Sequence, residues 1–430
     1  MFNRRDFIKS GIGLTAYAIL PYNFKAFEMM LLQKGYDNNN ARENMLNHVH
    51  DVIKMNPVLH NKGGELVELA DVCVRHGYPQ KATNILSEAI EVAHDVTAVK
   101  DNVRYFHKIT SAYEIHLKSA KVYYSMGDCD KAYKTISNKI MQVSVIAKKN
   151  HHAVLLIIDT AKVLYKNGEK DFALSLLNAV FEASLNRPSS ACSNYTTIKI
   201  VETYCELGLH NIAEEIKDKI VLDRNKQAAL IYIAGGYADT GSKERAHEIL
   251  ENVSKNIYRE ELSIVYAKLG EWKKAFEMIK DNDVLVLINC PYIKIARHAI
   301  YAGRKDAAVK ALNKTIEAVE ENYDCPDLWL PLMIKVMNTF LQMGDINKAK
   351  QLCNQVINYA LINHDELWTI IYVESLSKLA GICIKLGNMQ EAKRIINIAL
   401  ADVISQDEIY KGASLLNITK ASLDNNIPIY

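Results

Sequence analysis

The chain has 430 residues, and its 52 Lys plus Arg against 50 Asp plus Glu give a formal net charge of +2. Near-neutrality over this length removes the electrostatic case for nucleic acid, and there is no run of five like charges and no aromatic-basic RNA-binding motif. Hydrophobic residues make up 49% of the chain, with only 18 Gly and 8 Pro, which excludes a disordered or loop-rich all-β protein and favours long helices joined by short turns.

In chain order the first element reads as an address. Asn3-Arg4-Arg5-Asp6-Phe7-Ile8-Lys9 precedes an apolar stretch from Gly11 to Leu20. That stretch is too short to span a bilayer as a helix, which takes roughly 20 apolar residues. A basic head before a short, weakly apolar segment has the form of a secretory signal. Arg4, Arg5 and Phe7, followed by Ile8 and Lys9, resemble a bacterial twin-arginine export signal. The resemblance implies that residues 1–21 are a signal segment, that the cargo folds before export, and that it acts in the periplasm. The triplet Ala16-Tyr17-Ala18 sits inside the apolar stretch, so an uncleaved tether is also consistent. So is a basic amphipathic helix that caps the fold, in which case the Arg4-Arg5 pair is fortuitous and the chain is cytoplasmic.

Residues 22–60 read as an N-terminal helical cap or a degenerate first repeat, with Gly35 and Ala41 six residues apart. Residues 61–405 carry nine copies of one pattern. Gly77, Gly127, Gly168, Gly208, Gly241, Gly270, Gly303, Gly344 and Gly387 each have an alanine five residues later, at Ala82, Ala132, Ala173, Ala213, Ala246, Ala275, Ala308, Ala349 and Ala392. Seven residues before the glycine the side chain is usually small, as at Ala70, Ala161 and Ala380. Four before, it is usually aromatic or apolar, as at Tyr123, Leu164 and Phe340. The glycine supplies the left-handed residue that ends an apolar helix. The small residue and the alanine let two helices cross closely, and the larger side chain fills the wedge between them. Residues 406–430 read as a C-terminal capping helix and tail, since the apolar face of the last unit in a stack must be covered.

The pattern small-x-x-aromatic-x-x-x-Gly-x-x-x-x-Ala, as in Ala161-Lys162-Val163-Leu164-Tyr165-Lys166-Asn167-Gly168 and on to Ala173, is similar to the tetratricopeptide repeat. The spacing between glycines runs 50, 41, 40, 33, 29, 33, 41 and 43, and the family's closing proline is absent. The resemblance implies an all-α, right-handed α-solenoid of about nine antiparallel helix pairs with helical caps. It also implies a non-enzymatic scaffold that binds a protein or peptide in its concave groove. The runner-up is a cytoplasmic adaptor or regulator, and a third reading is a helical enzyme subunit.

Chemistry-bearing motifs are scarce. The sequence has no HExxH, no GxSxG, no phosphate-cradling loop and no EF-hand, and its eight Cys form no CxxC pair. No cofactor and no metal are therefore expected. Gly63-Gly64 and Gly235-Gly236 are isolated pairs on helical patterns rather than nucleotide loops. In the resembled architecture, positions six, three and two before each glycine line the groove. These give Lys121, Tyr124, Lys162, Tyr165 and Lys166, with Arg75, Lys268, Arg297, Tyr301 and Lys385 elsewhere. The expectation is a groove with basic and aromatic anchors, suited to an acidic peptide or helix. Asp71, Glu202, Glu206 and Asp239 occupy equivalent positions and make its charge mixed.

Overall fold

A computed structural model describes residues 38–98, 105–137, 151–185, 191–220, 222–256, 258–279, 290–321, 326–364, 367, 369–404, 408–425 and 427. The signal residues Arg4, Arg5 and Phe7, and the whole of residues 1–21, lie outside these. Among the described residues there are twenty helices and no strand.

Eighteen of the helices form nine successive hairpins. The first four pairs are α2 (Leu59–Arg75) with α3 (Pro79–Ala98), α4 (Tyr105–Ser125) with α5 (Cys129–Ser137), α6 (His151–Lys166) with α7 (Lys170–Leu185), and α8 (Ala191–Glu206) with α9 (His210–Asp218). Then come α10 (Asp223–Asp239) with α11 (Lys243–Glu251), α12 (Arg259–Lys268) with α13 (Trp272–Met278), and α14 (Pro291–Tyr301) with α15 (Lys305–Glu320). The last two are α16 (Pro326–Met343) with α17 (Ile346–Ile362), and α18 (Thr369–Lys385) with α19 (Met389–Ile404). Two helices remain, α1 (Asn38–Lys54) and α20 (Glu408–Asn425).

The repeat pattern explains each hairpin. At Gly168 φ is +97°, a conformation that a side chain would strain, and the other eight repeat glycines also take positive φ. The residue after the glycine then donates its N–H back to the wedge residue five positions earlier: Glu169 to Leu164 at 3.0 Å, Asp345 to Phe340 at 3.0 Å, Asn388 to Cys383 at 2.8 Å. That same residue begins the second helix. Its carbonyl accepts from the alanine N–H, as in Ala173 to Glu169 at 3.0 Å. Where it is Asp128, Asp345 or Asn388 its side chain also caps the third helical N–H, at 3.0–3.1 Å. One residue thus closes one helix and opens the next. All nine alanines are 0% exposed, as are all nine residues seven before the glycine, so the hairpin has no room for a larger side chain there.

Neighbouring first helices (α2, α4, α6 and onward to α18) touch one another in succession, whereas the second helices reach the next pair through its first helix. The first helices therefore form the inner layer, where the circumference is shorter. The close approach has a sequence correlate. Every described glycine outside the turns lies on a first helix or on α20. A Cβ on Gly63 would overlap Ile115 of α4, and one on Gly381 would sit 3.0 Å from Asn425 of α20.

The two helices expected as separate caps meet each other. α20 packs on α18 and α19, as a cap of the last pair would, and also on α1 and α2 at the start of the array. It takes the place of a tenth first helix, and α1 that of its second helix, so the solenoid closes into a ring. Arg75 and His76 of the first hairpin bond Asp424, and Lys420 bonds Glu68 at 2.7 Å. Beneath them the Glu65 carboxylate accepts from Asn56 at 3.3 Å and from the backbone N–H of Ala413. Gly412 leaves the space for it, since a Cβ there would overlap the carboxylate.

Candidate binding cavity on the inner face

The residues expected to line the groove are spread around the ring. Lys121 is exposed on α4, Lys166 on α6 and Arg297 on α14, with α8, α10 and α12 between the last two. Lys121 and Tyr124 share α4, and Lys162, Tyr165 and Lys166 share the neighbouring α6. Tyr301 is 87% exposed at the end of α14.

Three expectations are corrected. Tyr124 is 5% exposed and belongs to the core, and burial pushes its phenol up to about 12, so it is no surface anchor. Lys162 is not an open cation but pairs with Glu206 of α8 at 2.7 Å. Arg75 is held between Asp71 and Asp424 at the ring seam, at 3.2 and 2.8 Å. Tyr165 is half-buried, with the Lys170 ammonium 5.5 Å from its ring centroid. The carboxylates at equivalent repeat positions are what neutralise the cations, including Lys268, which bonds Asp239 at 2.6 Å. These pairs form a partial ion-pair ladder between neighbouring repeats, while Lys121, Lys166 and Arg297 stay exposed.

The residues that do converge form a cavity of about 370 Å³ across α8, α10, α12 and α14. One wall is an aromatic and cationic cluster. Lys199 lies 5.5 Å from the Tyr195 ring centroid and 6.0 Å from that of Tyr232, and its ammonium bonds Glu202 at 2.6 Å. Burial works against the charged ammonium, but Glu202 outweighs it and holds the Lys199 pKa above its ordinary value. Burial also drives the Tyr232 phenol far upward, so it stays a neutral hydrogen-bonding group.

The floor follows from Gly235 and Gly236. A Cβ on Gly236 would lie 2.9 Å from both Cys205 Cβ and His210 Cε1, so this glycine lets α8 and α9 close on α10. A Cβ on Gly235 would face Val265 at 3.3 Å and Lys268 Nζ at 3.6 Å, and its absence deepens the floor. Glu260, Glu261 and Lys294 stand across from them. The lining holds five carboxylates (Glu202, Glu206, Asp239, Glu260, Glu261) against three lysines (Lys199, Lys268, Lys294). Burial, and after it Lys268, lowers the His298 pKa, with Asp239 opposing them. Cys205 is a poor nucleophile here, because burial pushes its thiol up to about 12.

The repeat pattern held a signal for this site. Lys199, Tyr232, Glu261 and Lys294 all sit nine residues before their repeat glycine, about one helical turn from the position six before it. A groove register read only at six, three and two before the glycine passes over them.

No family model and no curated protein matches the chain. Solved structures do. Ton1535 from Thermococcus onnurineus NA1 is 16% identical over 85% of this chain and 93% of its own, with a TM-score of 0.30. A circular tandem repeat protein with a novel repeat topology is 15% identical over 90% and 92%, with a TM-score of 0.24. The human IFIT1 dimer with m7Gppp-AAAA is 15% identical over 88% and 97%, with a TM-score of 0.22. The chain is an all-α helical-repeat solenoid. Identities and scores this low carry no function across to it.

Proposed function

We propose that the chain is a non-enzymatic scaffold that binds a protein segment on its inner face, anchored in the cavity between α8 and α14. The observation that carries this reading is the cavity itself. Four successive inner helices supply an aromatic wall, a glycine floor and a charged rim, and about 370 Å³ suits an anchoring side chain and its neighbours. The charge balance also names the chemistry. With Glu206 already paired to Lys162 from outside the lining, four carboxylates remain against three lysines, a small negative excess that favours a segment bearing Lys or Arg on an apolar stem, not the acidic peptide that the repeat pattern suggests. Selection of a random peptide library on the purified chain tests it. Enrichment of basic sequences, lost in a Glu260→Lys, Glu261→Lys variant that keeps its helical content, supports the reading. Enrichment of acidic sequences, or none, sinks it.

The scaffold acts after export in this reading, on the strength of Arg4, Arg5 and Phe7. Fractionation of cells carrying the parent and an Arg4→Lys, Arg5→Lys variant separates the alternatives. A periplasmic parent with a retained variant supports export, and retention of both at full mass leaves a cytoplasmic adaptor. Among the described residues no helix is long and apolar enough to cross a membrane.

A further inference from the structure

At seven of the eight joints between successive pairs, the residue nine after one turn glycine and the residue four before the next are both core positions, Lys217 and Tyr237 being the exception. Leu86 and Tyr123, Leu177 and Tyr204, and Leu312 and Phe340 fill these positions at three of the joints, and all six are buried. Between the eighth and ninth pairs the same two positions are Cys353 of α17 and Cys383 of α18. They are 3% and 2% exposed, with sulfur atoms 3.7 Å apart. An aliphatic side chain and an aromatic one have been replaced by two thiols in contact.

We propose that Cys353 and Cys383 are a redox-formed cross-link site, closed by a small-molecule disulfide or the disulfide of a thiol oxidoreductase, which staples the eighth helix pair to the ninth. The sulfurs need only close from 3.7 Å to the bonded distance of about 2.05 Å. Either thiol can donate its S–H to the other, and the contact favours the thiolate on the accepting sulfur, which is the attacking one. Its thiolate attacks the reagent disulfide, forms a mixed disulfide and expels one thiolate. The donating cysteine then gives up its proton and attacks that sulfur, expelling the second. Two protein thiols and one reagent disulfide become one protein disulfide and two reagent thiols. Burial makes the step wait on local opening of the joint, which sets a slow rate. The assignment does not depend on where the chain acts.

The test uses the full chain, reduced and then held in oxidised glutathione, alkylated in denaturant and digested. The expected result is a linked Cys353–Cys383 peptide two hydrogens lighter than its parts, and a fall from eight to six alkylatable thiols, apart from glutathione adducts on exposed Cys129. Cys383→Ser should lose the linked peptide and leave glutathione on Cys353. A second readout needs no variant: the oxidised parent should melt several degrees above the reduced one and revert with dithiothreitol. The proposal is overturned if both thiols stay alkylatable after prolonged exposure, if Cys353 links equally to other cysteines, or if the Tm does not move.

Discussion

Arg75 Nη1 donates to both carboxylate oxygens of Asp424, at 2.8 and 2.9 Å, across 349 residues of sequence. His76 reaches the same carboxylate at 2.8 Å, and Arg75 Nε bonds Asp71 at 3.2 Å. Both members of the Arg75–Asp424 pair are about two-fifths exposed, at 40% and 42%. Water therefore screens the pair, and geometry counts for more than strength.

A double-mutant cycle of Arg75→Ala and Asp424→Ala should give a coupling of about 0.5–1 kcal/mol, the upper end for exposed pairs. Urea denaturation measures it, and additive losses would show the two side chains to be independent. Ending the chain after Ile404 is the stronger cut. It uncovers the faces of α1, α2 and α18 on which α20 packs. Small-angle scattering should then show a larger radius of gyration, and amide exchange in α1 should quicken.

The seam also carries a pH dependence. Burial, the largest cause, pushes Glu65 from 4.5 up to about 7, with the Asn56 hydrogen bond opposing it. A carboxyl whose folded value is raised prefers to be protonated in the fold. Its contribution is full below about 4.5 and is lost as pH rises through about 7. Between pH 5 and 8 the parent should lose stability on the order of 3 kcal/mol through this group. Glu65→Gln should flatten that slope, and an unchanged slope in the variant would move the origin elsewhere.

Two glycines in helix interiors should respond in opposite directions. Gly236→Ala places a Cβ 2.9 Å from Cys205 and His210 and should cost roughly 1–3 kcal/mol. Gly64→Ala meets nothing within 4 Å and should stabilise by about 0.5–1 kcal/mol, because alanine has less backbone freedom to lose. Melting curves of the two variants decide this, and a stabilised Gly236→Ala would deny the close approach of α8 to α10.

The ion-pair ladder predicts rescue. Lys162→Glu should destabilise by at most about 1 kcal/mol through repulsion from Glu206, and adding Glu206→Lys should recover most of it. If the single variant is neutral, Lys162 is an ordinary solvated lysine.

Much of the architecture was legible because the repeat residues act locally. The positive φ of Gly168, the carbonyl of Leu164 that caps the turn and the buried Ala173 all lie within ten residues, so one motif specifies one hairpin. The ring was not legible. Its closure depends on Asp424 finding Arg75 and on Gly412 making room for Glu65, and no local pattern records a contact between the first hairpin and the last helix. The groove was half legible. Reading Lys162 and Glu206 on separate lines found both residues but not their pairing, because which neighbour an inner-face lysine meets depends on the rotation between repeats.

An open array would let a partner slide in from either terminus of the stack, and its repeats could fray one at a time. A band joined to itself has neither privilege. A segment that must be encircled can arrive only by threading, leading end first, or during the moments when α20 stands away from α1 and α2. Its arrival rate would then be fixed by how often that gate opens and not by how well the segment fits. Alkaline conditions, which loosen the grip around Glu65, would quicken arrival and departure together while leaving their ratio almost unchanged.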